Sequence, residues 1–105
     1  MIKGVGIDIV EISRIKEKIK IADKILTKNE YLVFESLNDL QKVEFLAGRF
    51  AAKEAYYKAK NDKTLGYLDF EVLNDESGKP YTNLDNVSVS ISHEQHYCVA
   101  IVIIE

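Results

Sequence analysis

The chain has 105 residues, a net charge of −3 and a single cysteine, Cys98. The length fits one domain, residues 1–105, near the small end of sizes that bury a sufficient core, so help from oligomerisation is plausible. The acidic balance argues against a nucleic-acid partner, the absence of a signal peptide or a long apolar run argues against export or a membrane span, and the lone thiol favours the reducing cytoplasm.

The N-terminal segment predicts a strand. Val5, Ile7 and Ile9 alternate with two glycines and Asp8, the period-two pattern of a strand with one apolar face. On the other face Asp8 has only glycines before it, so its carboxylate should have open space beside it. Residues 1–28 also carry seven basic side chains against four acidic ones. This excess indicates either a solvated helix face or a docking surface for an acidic partner.

Three helices are predicted next, over about 14–21, 28–37 and 39–60. Ser13 could cap the first of them. Thr27 with Glu30 has the form of a capping box for the second, and Asn38 with Gln41 could do the same for the third.

The third helix predicts different environments around its circumference. Phe50, Glu54 and Lys58 fall together on one side, whereas Arg49 and Lys53 suggest a solvated cationic face. A stripe of small residues suits close approach of another backbone: Gly48, Ala52, Ala55 and Ala59.

The C-terminal half predicts strands at about 67–73, 87–92 and 97–104. A turn over 74–79 precedes Pro80, and the last two strands are joined by a short turn at 93–96. The whole chain is therefore predicted to be α+β.

Asp8 and Glu54 are candidate metal ligands. Two carboxylates, completed by water and phosphate oxygens, suit Mg²⁺. From spacing alone the alternative stays open that Asp8 is an ordinary strand residue and that Glu54 pairs with Lys58 one turn away.

The segment His93-Glu94-Gln95-His96 does not match the zinc-protease motif HExxH, which needs its second histidine at the position of Tyr97. A metal site formed by both histidines and Cys98 is a weaker alternative. Ser92 and His93 are sequence neighbours, which is a poor arrangement for a nucleophile and its base.

Three segments together resemble the signatures of the holo-[acyl-carrier-protein] synthase family, the small trimeric phosphopantetheinyl transferases. They are Gly4-Val5-Gly6-Ile7-Asp8-Ile9-Val10-Glu11-Ile12, Gly48-Arg49-Phe50-Ala51-Ala52-Lys53-Glu54-Ala55-Tyr56-Tyr57-Lys58-Ala59 and Val89-Ser90-Ile91-Ser92-His93. The resemblance implies the 4′-phosphopantetheinyl transferase fold, an antiparallel sheet packed against one long and two shorter helices.

The resemblance also implies an activity: Mg²⁺-dependent transfer of 4′-phosphopantetheine from coenzyme A to a serine of apo acyl carrier protein, with release of adenosine 3′,5′-bisphosphate, for fatty acid biosynthesis. By similarity, Asp8 and Glu54 bind Mg²⁺ and Lys58 faces the reacting phosphates. Glu54, or a water that it holds with the metal, is the candidate to take the serine proton.

Further site residues follow from the same resemblance. Ser92 and His93 would contact the nucleotide, and Arg49 and Lys53 its phosphates. Arg14 would contact the acidic carrier protein, and the enzyme would be a homotrimer with active sites at subunit boundaries. The segment after Lys58 departs from the family because it is short and has one glycine, Gly66.

Three other functions are weighed against this one. The chain could be an inactive homologue that only binds carrier protein, although such a binder would need neither the two carboxylates nor Lys58. It could instead serve carrier domains of specialised biosynthesis. Another magnesium-dependent nucleotide enzyme is disfavoured because no Walker or Rossmann glycine pattern is present.

Overall fold

A computed structural model describes all 105 residues. No helix in it is both long and apolar enough to cross a membrane. The chain forms four α-helices, α1 to α4, and five strands, β1 to β5. In chain order they are β1 (Gly4–Glu11), α1 (Ile12–Glu17), α2 (Ala22–Ile25), α3 (Lys28–Glu35), α4 (Asp39–Lys60), β2 (Val72–Asn74), β3 (Pro80–Thr82), β4 (Val87–His93) and β5 (Tyr97–Ile104).

The strands form two antiparallel sheets. The larger has the order β1-β5-β4, and its register places Ile7 opposite Ile101 and Ser90 opposite the same Ile101. The smaller sheet pairs β2 with β3. The α+β class and the antiparallel arrangement are thus confirmed, with the strands divided between two sheets.

Helix α4 lies directly on β1, and glycines make this possible. A Cβ added at Gly6 would lie 1.8 Å from the carbonyl oxygen of Ala55, and one at Gly4 would lie 2.4 Å from that of Ala59. No side chain fits into either gap, so backbone contacts backbone. Ala55 and Ala59 of the small-residue stripe thus have the role that the spacing predicts, whereas Gly48 faces the Ile91 side chain.

The predicted helix starts hold for α3 and α4, whereas α3 ends at Glu35 and not at about Leu37. Thr27 and Glu30 form a reciprocal capping box, as do Asn38 and Gln41. Helix α4 ends at Lys60, and the following Asn61 caps it. The φ of Asn61 is 54°, the left-handed conformation that asparagine tolerates at a helix end.

The predicted helix over 14–21 is wrong in its bounds. Helix α1 starts at Ile12 without a side-chain cap, because the strand runs straight into it and the Ile12 N–H donates to the His96 carbonyl at 2.9 Å. After Glu17 the chain leaves α-geometry, passes through a 3₁₀ turn at Ile19–Ile21 and continues as α2. Both helices turn isoleucines into the core, so the segment bends around it.

The predicted strand over 67–73 is also largely wrong. Tyr67–Asp69 forms a 3₁₀ turn, and only Val72–Asn74 is a strand. The Asp69 carboxylate accepts a hydrogen bond from the Gly66 N–H at 2.8 Å, which stabilises the turn instead of an extended chain. Strand β3 was not predicted, since Pro80 suggests the end of a turn. Pro80 is instead the first residue of β3, a position that proline tolerates.

The large sheet has one covered and one uncovered face. Cys98, Ala100 and Val102 of β5 are buried under α4. On the opposite face Val5, Ile7 and Ile9 are 56%, 58% and 64% exposed, and Ile101 lies beside Ile7. The apolar face predicted for β1 is therefore the one turned away from the helix.

Candidate active site

Asp8 and Lys58 join β1 to α4. Lys58 Nζ donates to Asp8 Oδ1 at 2.9 Å and to the Ile7 carbonyl oxygen at 3.0 Å. Asp8 is on the same strand face as the two glycines that contact α4, so its carboxylate reaches the helix. The alternative pairing of Lys58 with Glu54 does not form, because the lysine is bonded to β1 instead.

Glu54 lies one helical turn before Lys58, and a tyrosine holds it. The Tyr67 hydroxyl donates to Glu54 Oε1 at 2.9 Å. Burial, together with the hydrogen bond to Glu54 and the charges of Glu54 and Asp8, raises the pKa of Tyr67 to about 12. The phenol is thus a neutral donor near neutral pH, and both carboxylates are close enough to act on it.

These two carboxylates fit Mg²⁺. Each has one oxygen engaged by the protein, by Lys58 or by Tyr67, while Asp8 Oδ2 and Glu54 Oε2 accept no hydrogen bond from it. Mg²⁺ usually takes one or two carboxylates and completes its shell with water and substrate phosphates. No group of three or more His, Cys, Asp and Glu side chains is arranged to hold a metal. The alternative site at His93, His96 and Cys98 is therefore not formed.

Glu54 also borders a cavity of about 260 Å³, here called the Glu54 cavity. It lies between the last turns of α4 and the connection that follows. Its lining includes Tyr57, Leu65, Gly66, Tyr67 and Phe70.

Lys53 does not lie on a solvated face. Its ammonium is buried and donates to Glu30 Oε1 at 2.6 Å and to the Tyr67 carbonyl oxygen at 2.9 Å. Burial lowers the pKa of Lys53, and the hydrogen bond to Glu30 opposes this change. Glu30 also accepts from the Val72 N–H at 2.7 Å and the Thr27 N–H at 2.8 Å. Every contact of the Lys53 ammonium is with the protein itself.

Arg49 is buried as well, so the predicted solvated face is wrong for both cations. Its Nε donates to the Val72 carbonyl at 3.1 Å, a terminal nitrogen donates to Asn74 Oδ1 at 3.0 Å, and the guanidinium stacks on Phe45. Burial lowers the pKa of Arg49 to about 10, which leaves it charged at neutral pH.

Arg49 and His93 border one surface hollow of about 330 Å³, the Arg49–His93 hollow. Glu44 is on the same rim, with its carboxylate 3.7 Å from His93 Nδ1. The structure thus brings together two of the four residues expected to contact the nucleotide and its phosphates. Lys53 borders the Glu54 cavity instead.

Ser92 is separate from this hollow. It pairs with Val99 in the register of β4 and β5, and side chains of directly paired residues lie on one face. That face is the uncovered one, opposite α4. Within one chain Ser92 and His93 therefore lie on opposite faces of the sheet.

Arg14 lies at the rim of a groove of about 520 Å³ between α1, α2 and α4, the Arg14 groove. Isoleucines and Phe50 form much of its lining, with Lys18 and Lys24 at the edge. Arg14 pairs with Glu11 at 3.2 Å but remains 77% exposed. Three of the seven basic side chains of residues 1–28 thus border this largely apolar groove.

Sequence reasoning missed Tyr67 and Glu30. Tyr67 fell within the predicted strand, and Glu30 was assigned only its capping role. One signal was available for Tyr67. The connection from the end of α4 to Tyr67 is short, so this residue stays close to the helix.

Comparisons with known proteins show which family the chain resembles in sequence and fold. Residues 4–102 match the model of the 4′-phosphopantetheinyl transferase superfamily. The chain is 50% identical to the holo-[acyl-carrier-protein] synthase of Anoxybacillus flavithermus, over all of this chain and 97% of that one. Its counterpart from Staphylococcus saprophyticus is 48% identical, over all of this chain and 99% of that one.

Solved structures give the same result. A holo-(acyl-carrier-protein) synthase from Bacillus anthracis, described in complex with CoA (3′,5′-ADP), superposes with a TM-score of 0.93 at 45% identity, covering 99% of this chain and 96% of that one. The Neisseria meningitidis synthase gives 0.89 at 32% identity, covering 100% and 99%. The chain therefore belongs to the holo-[acyl-carrier-protein] synthase family of phosphopantetheinyl transferases.

Proposed function

We propose that this enzyme transfers 4′-phosphopantetheine from coenzyme A to a serine hydroxyl of apo acyl carrier protein, with Mg²⁺, and releases adenosine 3′,5′-bisphosphate. The product would serve fatty acid biosynthesis in the cytoplasm, a compartment that suits a chain whose only cysteine is free. Membership of the family and the arrangement of the two carboxylates support this proposal.

One observation carries it. Asp8 and Glu54 are 46 positions apart in the sequence, yet Lys58, which bonds Asp8, lies one helical turn after Glu54 on α4. Each keeps one oxygen free of protein hydrogen bonds. Asp8 and Glu54 would hold Mg²⁺, which would supply positive charge to the diphosphate of coenzyme A.

Lys58 supplies a second positive charge at this point. An ammonium has three N–H donors, and two are directed to Asp8 and the Ile7 carbonyl, so one remains for a phosphate oxygen. In the transfer, the serine oxygen forms a bond to the β-phosphorus and the bond to the bridging oxygen of the adenosine part breaks. Lys58 would stabilise the negative charge that shifts onto that leaving oxygen.

The proton of the attacking serine needs an acceptor. Glu54, or a water at its carboxylate, is the proposed one, because Oε2 has no protein donor. The serine proton would pass to that acceptor as the new bond to phosphorus forms.

We assign the nucleotide end to the Arg49–His93 hollow. The Arg49 guanidinium and the ring nitrogens of His93 suit a phosphorylated ribose, the guanidinium as a cation and the imidazole as a hydrogen-bonding group. Lys53 is not assigned there, since its ammonium is buried against Glu30 and the Tyr67 carbonyl and borders the Glu54 cavity instead. The role of Ser92 on the opposite face would require a neighbouring subunit.

A homotrimer fits the uncovered face of the large sheet. Exposed Val5, Ile7, Ile9 and Ile101 form a continuous apolar patch there, and such patches commonly mark interfaces. A subunit covering this face would also lie next to Ser92. The proposal therefore includes active sites at subunit boundaries.

The carrier protein is assigned to the Arg14 groove. Acyl carrier proteins are expected to be acidic, and the groove combines an apolar lining with a basic rim. Complementary charge would mainly speed encounter and fix orientation.

The decisive test mixes the protein with coenzyme A, Mg²⁺ and apo carrier protein and looks for the added phosphopantetheine by mass spectrometry. We expect transfer that stops on chelation and is nearly abolished in Asp8→Ala and Glu54→Ala. Glu35→Ala, which removes an exposed carboxylate on α3, is the matched control and should act like the parent. Full activity in both site variants would disprove the metal assignment.

The same assay separates the alternative functions. An inactive homologue would bind carrier protein without modifying it. A transferase for specialised biosynthesis would modify such a carrier domain faster than the fatty acid carrier.

A further inference from the structure

Tyr67 is the one side chain that donates a hydrogen bond to Glu54. The bond is 2.9 Å long and uses only Oε1. A glutamate side chain has three rotatable bonds, and without a partner its carboxylate would sample many orientations. The hydrogen bond holds Oε1 against the protein and leaves Oε2 without a protein donor.

Tyr67 is itself held by the same helix. Its carbonyl oxygen accepts from Lys53 Nζ at 2.9 Å, and its ring packs against Phe50 with 5.7 Å between centroids. Lys53 and Glu54 follow Phe50 by three and four positions, so each is its neighbour on the surface of α4. Ring, carbonyl and hydroxyl of Tyr67 are thus all fixed by one turn of that helix.

The anchoring continues into the core. Lys53 is bonded at 2.6 Å to Glu30, a fully buried residue that also accepts from the Val72 and Thr27 N–H groups. Glu30 thereby connects α3, α4 and β2. The path Glu30–Lys53–Tyr67–Glu54 links this rigid interior to the surface carboxylate.

We infer that Tyr67 is a positioning residue that orients Glu54 as a one-oxygen ligand for the divalent cation. This inference rests on the proposed function of Glu54 and extends it to a residue from a different part of the chain. Hydrogen bonds that orient metal ligands typically change metal affinity about 10-fold to 100-fold.

The test is Tyr67→Phe, which removes one oxygen and keeps the ring on Phe50. Mn²⁺ is the probe, and the free ion is measured by electron paramagnetic resonance at fixed coenzyme A. We expect the Mn²⁺ dissociation constant to rise roughly 10-fold. In the transfer assay the Mg²⁺ concentration for half-maximal rate should rise similarly, while the rate at saturating Mg²⁺ stays close to that of the parent.

Tyr57→Phe is the matched control. Tyr57 borders the same cavity, and its hydroxyl makes no hydrogen bond to Glu54. Its Mn²⁺ affinity should equal that of the parent. Thermal unfolding and circular dichroism of both variants would show whether the fold is kept, and a Tyr67→His variant, which restores a ring N–H donor, would test the role if Tyr67→Phe were to unfold.

Unchanged Mn²⁺ affinity in folded Tyr67→Phe would overturn the inference, and so would an equal loss in Tyr57→Phe. A parent chain that binds Mn²⁺ with the expected dependence on Tyr67 but transfers no phosphopantetheine would uphold the positioning role. That result would instead disprove the proposed function.

Discussion

Helix α4 carries two lysine–carboxylate pairs that differ in their surroundings. Lys53 and Glu30 are 2.6 Å apart, with side chains 1% and 0% exposed, while Lys58 and Asp8 are 2.9 Å apart and 54% and 16% exposed. The inner pair has every contact inside the protein, whereas the outer pair has room for a ligand. Chemistry that is nearly identical thus serves the fold in one place and the proposed reaction in the other, and burial decides which.

Lys53→Met should break the inner pair with the largest effect. It leaves the Glu30 carboxylate buried without its cation, which typically costs about 3–5 kcal/mol of unfolding free energy. Urea denaturation followed by circular dichroism measures this change. A variant of unchanged stability whose coenzyme A affinity falls would contradict the structural role and favour the phosphate contact predicted from the sequence.

Lys58→Met makes the same replacement in the outer pair and serves as its control. A partly exposed ion pair contributes roughly 0–1 kcal/mol, so the urea midpoint should hardly move. The transfer rate should instead fall roughly 10²-fold to 10³-fold, the usual cost of losing one donor to developing charge. Normal turnover at saturating coenzyme A would contradict the role proposed for Lys58.

Arg14→Glu extends the comparison to the most exposed pair, Arg14 with Glu11. Stability should change by no more than roughly 0.5 kcal/mol, as is usual on a surface. Carrier-protein binding, measured by calorimetry, should weaken, whereas coenzyme A binding should not.

Lys20→Glu changes the charge equally in the same basic segment but outside the Arg14 groove, so it is the control for Arg14→Glu. Equal losses in the two variants would attribute the effect to net charge and not to the groove.

Local patterns predicted a large part of the fold. The capping pairs at Thr27 and Asn38 predict where α3 and α4 start, because a cap depends on residues only three positions apart. The spacing of Asp8 and Glu54 did not distinguish a metal site from ordinary surface residues. Only the family resemblance assigned the two carboxylates to Mg²⁺. The placement of Asp8 beside Lys58 depends on how β1 packs against α4.

The remaining features depend on contacts between distant residues. Arg49 and Lys53 look solvent-facing by helical spacing, because their partners Val72 and Glu30 are 23 positions away in the sequence. Tyr67 was placed in a strand although its turn is held by local bonds between Gly66 and Asp69. Its bonds to Lys53 and Glu54 join residues 14 and 13 positions away, which the local pattern does not show. Periodicity reports which side chains share a face but not what covers that face.

The bare contact of Gly4 and Gly6 with the carbonyls of α4 has a consequence for how this enzyme can vary. The distance between the main chains of β1, which carries Asp8, and α4, which carries Glu54, is set by backbone atoms in contact. These atoms cannot be compressed or repacked as side chains can. Side-chain changes that spare these glycines leave the backbone contact between β1 and α4 in place. A single methyl group at Gly6 would force the strand and the helix apart. The site therefore tolerates substitutions in the surrounding core better than it tolerates a larger residue at Gly4 or Gly6.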